Sequence, residues 1–215
     1  MIKSLLRKLY YGFYRKIFPD YPVELEKAVW DCKTLLDVGC GSNSPIKSFS
    51  GKLYSVGVDA FKPSVEKAKK EKIHDKYYVM DVLKIGKAFK PDSFDCVLAS
   101  DIIEHLTRDD GCKLLDMMER IARRKIIIFT PNGFMPQGAY EGNPWQVHKS
   151  GWTVNEMRKR GYKVTGINGF KPLRWGGREE KFGEEFTSIR LRPRYFWLVV
   201  SDLTQLFLRE HPELA

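Results

Sequence analysis

The sequence lacks the features that mark disulfide-rich, zinc-binding and membrane-spanning proteins. Its 215 residues include four cysteines, none in a Cys-x-x-Cys pair, so neither a disulfide framework nor a zinc site is indicated. No apolar run approaches the roughly 20 residues that a membrane-spanning helix needs, and no signal peptide with a cleavage site is evident. We therefore expect a soluble protein of the reducing cytoplasm.

The chain has a formal charge of +10, and its first 18 residues include no Asp or Glu. The basic residues there are Lys3, Arg7, Lys8, Arg15 and Lys16. Apolar residues recur between them at helical spacing, so residues 1–30 are predicted to form a basic amphipathic extension. Such a face can contact the anionic inner surface of a membrane, nucleic acid or an acidic substrate, and a merely solvated face is the alternative.

Short apolar runs alternate with helical stretches between Lys33 and Asn132, a pattern that predicts βαβ units and a parallel sheet. The predicted strands are 34–38, 54–58, 77–80, 94–99 and 125–130. The predicted helices begin near Ser44 and span 63–72 and 108–122. Residues 31–170 are therefore expected to form the main domain.

The composition changes after Pro131. Residues 131–152 are rich in Gly, Pro, Asn and aromatic residues, and we predict that they form a lid over a binding pocket. Loops of this length within a compact domain are usually functional or disordered. A helix at 153–160 and a strand at 162–167 should follow. The remainder, 171–215, is predicted to be a charged segment that ends in an amphipathic helix at 195–209.

Two signals after the first two strands suggest a nucleoside-containing ligand. Gly39 and Gly41 directly follow the first strand, where glycines allow a sharp turn and close approach of the backbone to a ligand. Asp59 follows the second strand about 20 residues later, where a carboxylate can accept both ribose hydroxyls. A ligand-free tight turn and a helix-capping Asp are the alternatives.

The next strands favour S-adenosylmethionine (SAM) over NAD. Asp81, between Met80 and Val82, can accept a hydrogen bond from an adenine amino group that two apolar side chains enclose. The third glycine of a dinucleotide fingerprint is missing, because Ser44 stands at its position.

The ordered series LLDVGCGSNS, VGVDA, MDV, FDCVLASDIIEHL and IIIFTPNG resembles class I SAM-dependent methyltransferases. It is most similar to the branch with ubiquinone-type O-methyltransferases, and the resemblance spans about 34–133. It implies an α/β Rossmann-like fold, with a mostly parallel central sheet and helices on both faces, and SAM as cofactor with S-adenosylhomocysteine (SAH) as product. The implied cofactor-binding residues are Asp37, Gly39, Cys40, Gly41, Asp59, Ala60, Met80, Asp81, Val82 and Ser100.

The catalytic candidates are Glu104, His105 and His148. An oxygen acceptor must lose a proton, and histidine is the usual base near neutral pH. Glu104 and His105 follow the fourth strand, and His148 lies in the lid, although each could merely brace its own segment. The predicted pocket walls and polar contacts are Tyr140, Trp145, Trp152, Asn143, Gln146 and Lys149. No metal site is predicted, and His74 and His211 are expected at the surface.

Three functions remain open. The first is an O-methyltransferase for a small or lipid-linked acceptor, of the glycan or isoprenoid-precursor type. The second is an RNA or nucleobase methyltransferase, which is disfavoured because Thr130-Pro131-Asn132-Gly133 differs from the Asn/Asp-Pro-Pro-aromatic clamp for a base amino group. The third is an inactive binding or scaffold protein. The oligomeric state is not predicted.

Overall fold

A seven-stranded sheet organises the described residues, 21–139, 142–167 and 204–210, in this computed structural model. The strands are β1 Thr34–Val38, β2 Tyr54–Asp59, β3 Lys76–Val79, β4 Phe94–Ser100, β5 Ala122–Thr130, β6 Lys163–Ile167 and β7 Thr204–Glu210. Their order is β3-β2-β1-β4-β5-β7-β6. Strands β1 to β5 pair in parallel, whereas β7 is antiparallel to β5 and β6. The order reverses between β1 and β4, where open α/β sheets form a ligand crevice.

Helices cover both faces of this sheet. They are α1 Tyr21–Val29, α2 Lys62–Lys70, α3 Ile85–Ala88, α4 Arg108–Ile121 and α5 Val154–Lys159. Short 3-10 turns lie at Pro45–Phe49, Val82–Lys84, Ile103–His105 and Pro144–Gln146. One buried cluster includes Leu114 of α4, and a second includes Leu25 of α1. The Rossmann-like architecture predicted from the sequence is therefore confirmed.

The sequence explains why these elements form where they do. Every residue of β4 except Ser100 is buried, and its apolar stretch from Cys96 to Ala99 is typical of a strand covered on both faces. The Thr107 side chain accepts from the amide of Asp110 at the start of α4, and Thr153 with Glu156 forms a capping box on α5. These side chains satisfy amides that a helix start leaves unpaired.

The predicted helix at 195–209 is wrong over the part that the structure describes. Thr204–Glu210 is strand β7, inserted between β5 and β6. Its backbone pairs with β5 from Thr130 to Lys125, which satisfies hydrogen-bonding groups that β5 would otherwise leave unpaired. The spacing of apolar residues reflects only neighbours along the chain. It suggested a helix here because it carries no information about the pairing with distant β5.

Helix α1 belongs to the folded core, although the sequence placed it in the N-terminal extension. Tyr21, Leu25 and Val29 are buried on one side of it, and the Tyr21 ring stacks on Phe129 with 3.7 Å between centroids. The predicted basic helix within residues 1–18 lies outside the described residues. Within the described parts of the chain, no helix is both long and apolar enough to cross a membrane.

Candidate active site

The glycine turn after β1 forms the floor of a cleft at the carboxyl ends of β1, β2 and β4. Gly39 and Gly41 have φ angles of +73° and +57°, a region that L side chains rarely adopt. The amides of Gly39 and Cys40 both donate to the Val58 carbonyl, at 2.7 and 3.0 Å. The amides of these two predicted cofactor-binding residues therefore already have protein partners. The glycines instead leave space in the cleft, because they carry no side chain.

Asp59 fixes the same turn from the end of β2. Its carboxylate accepts from the amide of Gly41 at 2.9 Å and from the amide of Phe61 at 2.7 Å, one on each oxygen. Burial raises the pKa of this carboxyl, and the two amides oppose that rise. A carboxylate oxygen can accept more than one hydrogen bond, so Asp59 can hold the turn and still receive ribose hydroxyls.

Asp37 lies beneath the turn in a buried polar network that the sequence analysis missed. One carboxylate oxygen accepts from the Ser44 hydroxyl at 2.5 Å and is 2.9 Å from Nε2 of His74. The prediction that His74 is a surface residue is wrong, because its side chain is fully buried. Gly57 makes room for the ring, since a Cβ there would lie 2.9 Å from Nδ1 of His74. The sequence places His74 a few residues after α2, and nothing in that position indicates a contact with Asp37. The contact depends on the path by which the chain leaves α2 and returns to the sheet.

The far end of the cleft is lined by the residues predicted to enclose adenine. Ala60, Asp81 and Val82 line it together with Asp59. The Asp81 carboxylate accepts from the amide of Leu83 at 2.9 Å through Oδ1. Met80 packs against the apolar core beside these residues and is partly buried.

Ser100, the last residue of β4, and Asp101, which follows it, line the opposite end of the cleft. Asp101 has φ +53°, although it is not a glycine, and strained backbone of this kind clusters at functional sites. Its side chain is open to the cleft but surrounded by protein, and this desolvation raises its pKa to about 7. A Cβ added to Gly41 would have no atom of the described residues within 4 Å, so this end offers room and polar groups for a charged amino acid moiety.

The three catalytic candidates converge beside the cleft. Glu104, His105 and His148 are 2%, 7% and 9% exposed, and one ligand atom from each lies within 4.8 Å of the others. Burial raises the pKa of Glu104 well above its usual value, and Asp101 adds to this. Burial lowers the pKa of His105 to about 4, assisted by His148, and burial also lowers the pKa of His148. Burial thus favours the uncharged form of each of the three groups.

Hydrogen bonds fix the orientation of this cluster. Thr130 donates its hydroxyl to Oε2 of Glu104 at 2.8 Å, while Oε1 is buried without a partner among the described residues. The Glu104 carbonyl accepts from the amides of Lys149 and Ser150. The lid is thus attached to the turn after β4, which carries Glu104 and His105.

The lid segment 131–152 supplies one wall of the cleft, but with fewer residues than predicted. Asn143, Trp145 and Gln146 line it. Trp152 does not, because it is 3% exposed and its ring packs against Gly111, so its predicted role as a pocket wall is wrong. Its indole donates to the Ile103 carbonyl at 3.2 Å and anchors the end of the lid. Tyr140 lies outside the described residues.

Comparison with known proteins agrees with this geometry. Residues 36–129 match the family model described as a methyltransferase domain, and that range contains the glycine turn, Asp59, Asp81 and Ser100. The chain therefore carries a methyltransferase domain of the class I SAM-dependent type. SAM is accordingly the cofactor of this methyltransferase, and the match does not select the ubiquinone-type branch within the family. No curated protein sequence matches the chain.

Solved structures share the fold at low sequence identity. A SAM-dependent methyltransferase from Archaeoglobus fulgidus is 16% identical with a TM-score of 0.60, covering 94% of this chain and 100% of its own. The N-methyltransferase NodS from Bradyrhizobium japonicum is 11% identical with a TM-score of 0.59, covering 94% and 97%. Phosphoethanolamine N-methyltransferase 2 from Haemonchus contortus, in complex with SAM, is 18% identical with a TM-score of 0.55, covering 84% and 49%. These similarities concern the fold alone and do not select the accepting atom.

Proposed function

We propose that this methyltransferase transfers the methyl group of SAM to a hydroxyl oxygen of a small polar acceptor. The observation that carries the proposal is the cluster of Glu104, His105 and His148. His105 lines the same cleft as Gly39, Asp59 and Asp81. An amine that is already deprotonated needs no base, whereas a hydroxyl acceptor does.

The residues of the cleft fit SAM in one orientation. Asp59 would accept the ribose hydroxyls, and Asp81, flanked by Val82, would face the adenine. The methionine moiety would then lie between Gly41 and Ser100, at the end that Asp101 also lines. Ile102 and His105 would consequently lie near the reacting methyl group.

The protein's own tasks are alignment, exclusion of water and removal of one proton. SAM supplies a methyl group on a positively charged sulfur, which makes it an activated donor. With SAM bound, the acceptor oxygen would take the methyl group as the carbon–sulfur bond breaks to leave SAH, and the hydroxyl proton would pass to the imidazole of His105. His105 can accept this proton because its lowered pKa of about 4 keeps the imidazole unprotonated at neutral pH. Its Nδ1 faces the Val147 carbonyl at 3.4 Å, which leaves the lone pair on Nε2.

Two features favour a polyhydroxylated acceptor over a nucleobase. Trp145 offers an apolar wall, and Asn143 and Gln146 place amide groups at the same mouth, a combination suited to a sugar ring or a similar polar ring. Thr130 occupies the position where a nucleobase clamp would begin, and its hydroxyl is bonded to Glu104. A lipid-linked acceptor of glycan or isoprenoid type also fits the proposal, with the membrane contact assigned to the basic N-terminal residues.

Transfer of a radiolabelled methyl group from SAM tests this proposal. We expect label to enter hydroxylated acceptors from a panel of sugars, prenylated phenols and lipid-linked sugars, and to remain attached in mild alkali, as a methyl ether does. Matched compounds with an amine in place of the hydroxyl serve as the control. Labelling of the amines alone, or of RNA alone, would overturn the proposal while leaving the methyltransferase assignment intact.

A further inference from the structure

We infer that Glu104, His105 and His148 form a binding site for a divalent transition-metal ion beside the cofactor cleft. The donor set is two imidazoles and one carboxylate, whose ligand atoms lie within 4.8 Å of one another. Donors around a tetrahedral zinc ion lie roughly 3.4 Å apart, given metal–nitrogen bonds of about 2.1 Å. Small side-chain movements would therefore bring the three atoms to bonding distance.

The hydrogen bonds of the two histidines leave one nitrogen of each ring available as a ligand atom. Nδ1 of His148 lies 2.5 Å from the Met135 carbonyl, and Nδ1 of His105 lies 3.4 Å from the Val147 carbonyl. A carbonyl only accepts, so each Nδ1 carries the proton and each Nε2 keeps its lone pair. Histidines that ligate metals usually donate their other ring N–H to a carbonyl or carboxylate in this way. The rings are also adjacent, with 4.7 Å between centroids.

Glu104 supplies an independent observation that points to a ligand. Its Oε1 is buried and has no hydrogen-bond partner in the described parts of the chain, whereas Oε2 is held by Thr130. A buried polar atom without a partner destabilises the folded state, because it has lost its contact with water and gained no hydrogen bond. A cation between the carboxylate and the imidazoles would satisfy Oε1 and balance the charge of the ionised carboxylate.

The chemistry of the donors restricts the ion. Two imidazoles with one carboxylate suit zinc, iron, manganese or cobalt, whereas magnesium and calcium prefer oxygen ligands. Three protein ligands also leave a coordination position open, which is typical of catalytic and not of structural sites. His105 lines the cleft, so this open position would face the acceptor.

This inference rests on the proposed function and refines its proton step. With an ion bound, the imidazoles act as ligands and the ion holds the acceptor oxygen. The bound hydroxyl becomes more acidic, and its proton is released to water as the oxygen takes the methyl group. Glu104, His105 and His148 are required with or without the ion, but with the ion bound they contact the ion and not the acceptor.

Cobalt titration of the tag-free, full-length protein after chelator treatment tests the site. We expect one equivalent of Co²⁺ to bind with strong visible absorption, and Zn²⁺ to displace it. Loss of a metal ligand should weaken binding at least as much as loss of an outer-shell partner, so His148→Gln and His105→Gln are each expected to raise the Kd at least about 100-fold. His211→Gln, a change at a histidine that is not one of the three proposed ligands, should leave Co²⁺ binding unchanged.

The controls separate this inference from the proposed function. SAH affinity, measured by calorimetry, should change less than threefold in His148→Gln, which shows that the fold and the cofactor cleft are intact. Absence of stoichiometric Co²⁺ binding, or equal binding by His148→Gln, would overturn the metal site. Because metal binding is measured without an acceptor, a protein that binds Co²⁺ but methylates only amines would overturn the proposed function and leave the metal site in place.

Discussion

Replacement of His105 by glutamine is expected to lower the rate of methyl transfer about 100- to 10,000-fold, the usual contribution of a positioned proton-transfer group. Glutamine preserves much of the side-chain volume but removes the imidazole lone pair at the cleft. The proposed binding contacts to SAM lie on Gly41, Asp59 and Asp81, so SAH affinity should change less than threefold. Single-turnover assays with labelled SAM, together with calorimetry, measure the two quantities separately.

His211→Gln is the matched control for this substitution and should retain full activity. If His105→Gln turned over at the normal rate, the proton would leave by another route and the cluster would have only a structural role. An equal loss of SAH affinity would instead mean that His105 acts through the cofactor site.

The second large effect concerns the floor of the cleft. A Cβ on Gly39 would lie 1.9 Å from Cδ1 and 2.1 Å from Cγ1 of Ile102. Left-handed backbone adds about 1–2 kcal/mol for an L residue, and overpacking typically adds about 1–3 kcal/mol. We therefore expect Gly39→Ala to lower the free energy of unfolding by roughly 2–5 kcal/mol and to weaken SAH binding, because Ile102 lines the cleft.

Gly41→Ala separates the two causes. Its φ is also positive, at +57°, but no atom of the described residues lies within 4 Å of the added Cβ. It should lose only about 1–2 kcal/mol of unfolding free energy in denaturant titrations without ligand. Adding Ile102→Ala to Gly39→Ala should recover part of the overpacking loss, since neighbouring changes that share a contact are not additive. Equal losses in both glycine variants, with no recovery in the double variant, would contradict the proposed contact.

The sequence predicted the first five strands because the signals there are local. Thr34–Val38 matches its predicted bounds, and the predicted strand at 94–99 extends by one residue to Ser100. In β1, β2, β4 and β5, apolar runs bounded by Gly, Pro and Asp reflect burial on both faces of a parallel sheet. The acidic residues that follow these strands could also be identified from the sequence. The carboxyl ends of parallel strands lie at one edge of the sheet, so side chains that directly follow the strands are expected to lie close together there.

The errors concern contacts between segments that are distant in the chain. His74 reaches Asp37 across 37 positions, Trp152 donates to Ile103 across 49 positions, and β7 pairs with β5. Period and composition indicate that such residues are apolar, polar or aromatic, but not which partner they find. The convergence of His148 with His105 could likewise not be derived from spacing, since it depends on how the lid returns to Glu104.

The most direct test of the central claim is calorimetric titration with SAH, with NAD as a control ligand and Asp59→Ala as the variant. Hydrogen bonds to a charged group contribute about 1.5–3 kcal/mol each, so loss of two ribose contacts should weaken SAH binding by roughly 100-fold or more. The account predicts micromolar binding of SAH to the native chain, loss of that binding in Asp59→Ala, and no binding of NAD. A folded native protein that binds NAD, or that fails to bind SAH, would contradict it.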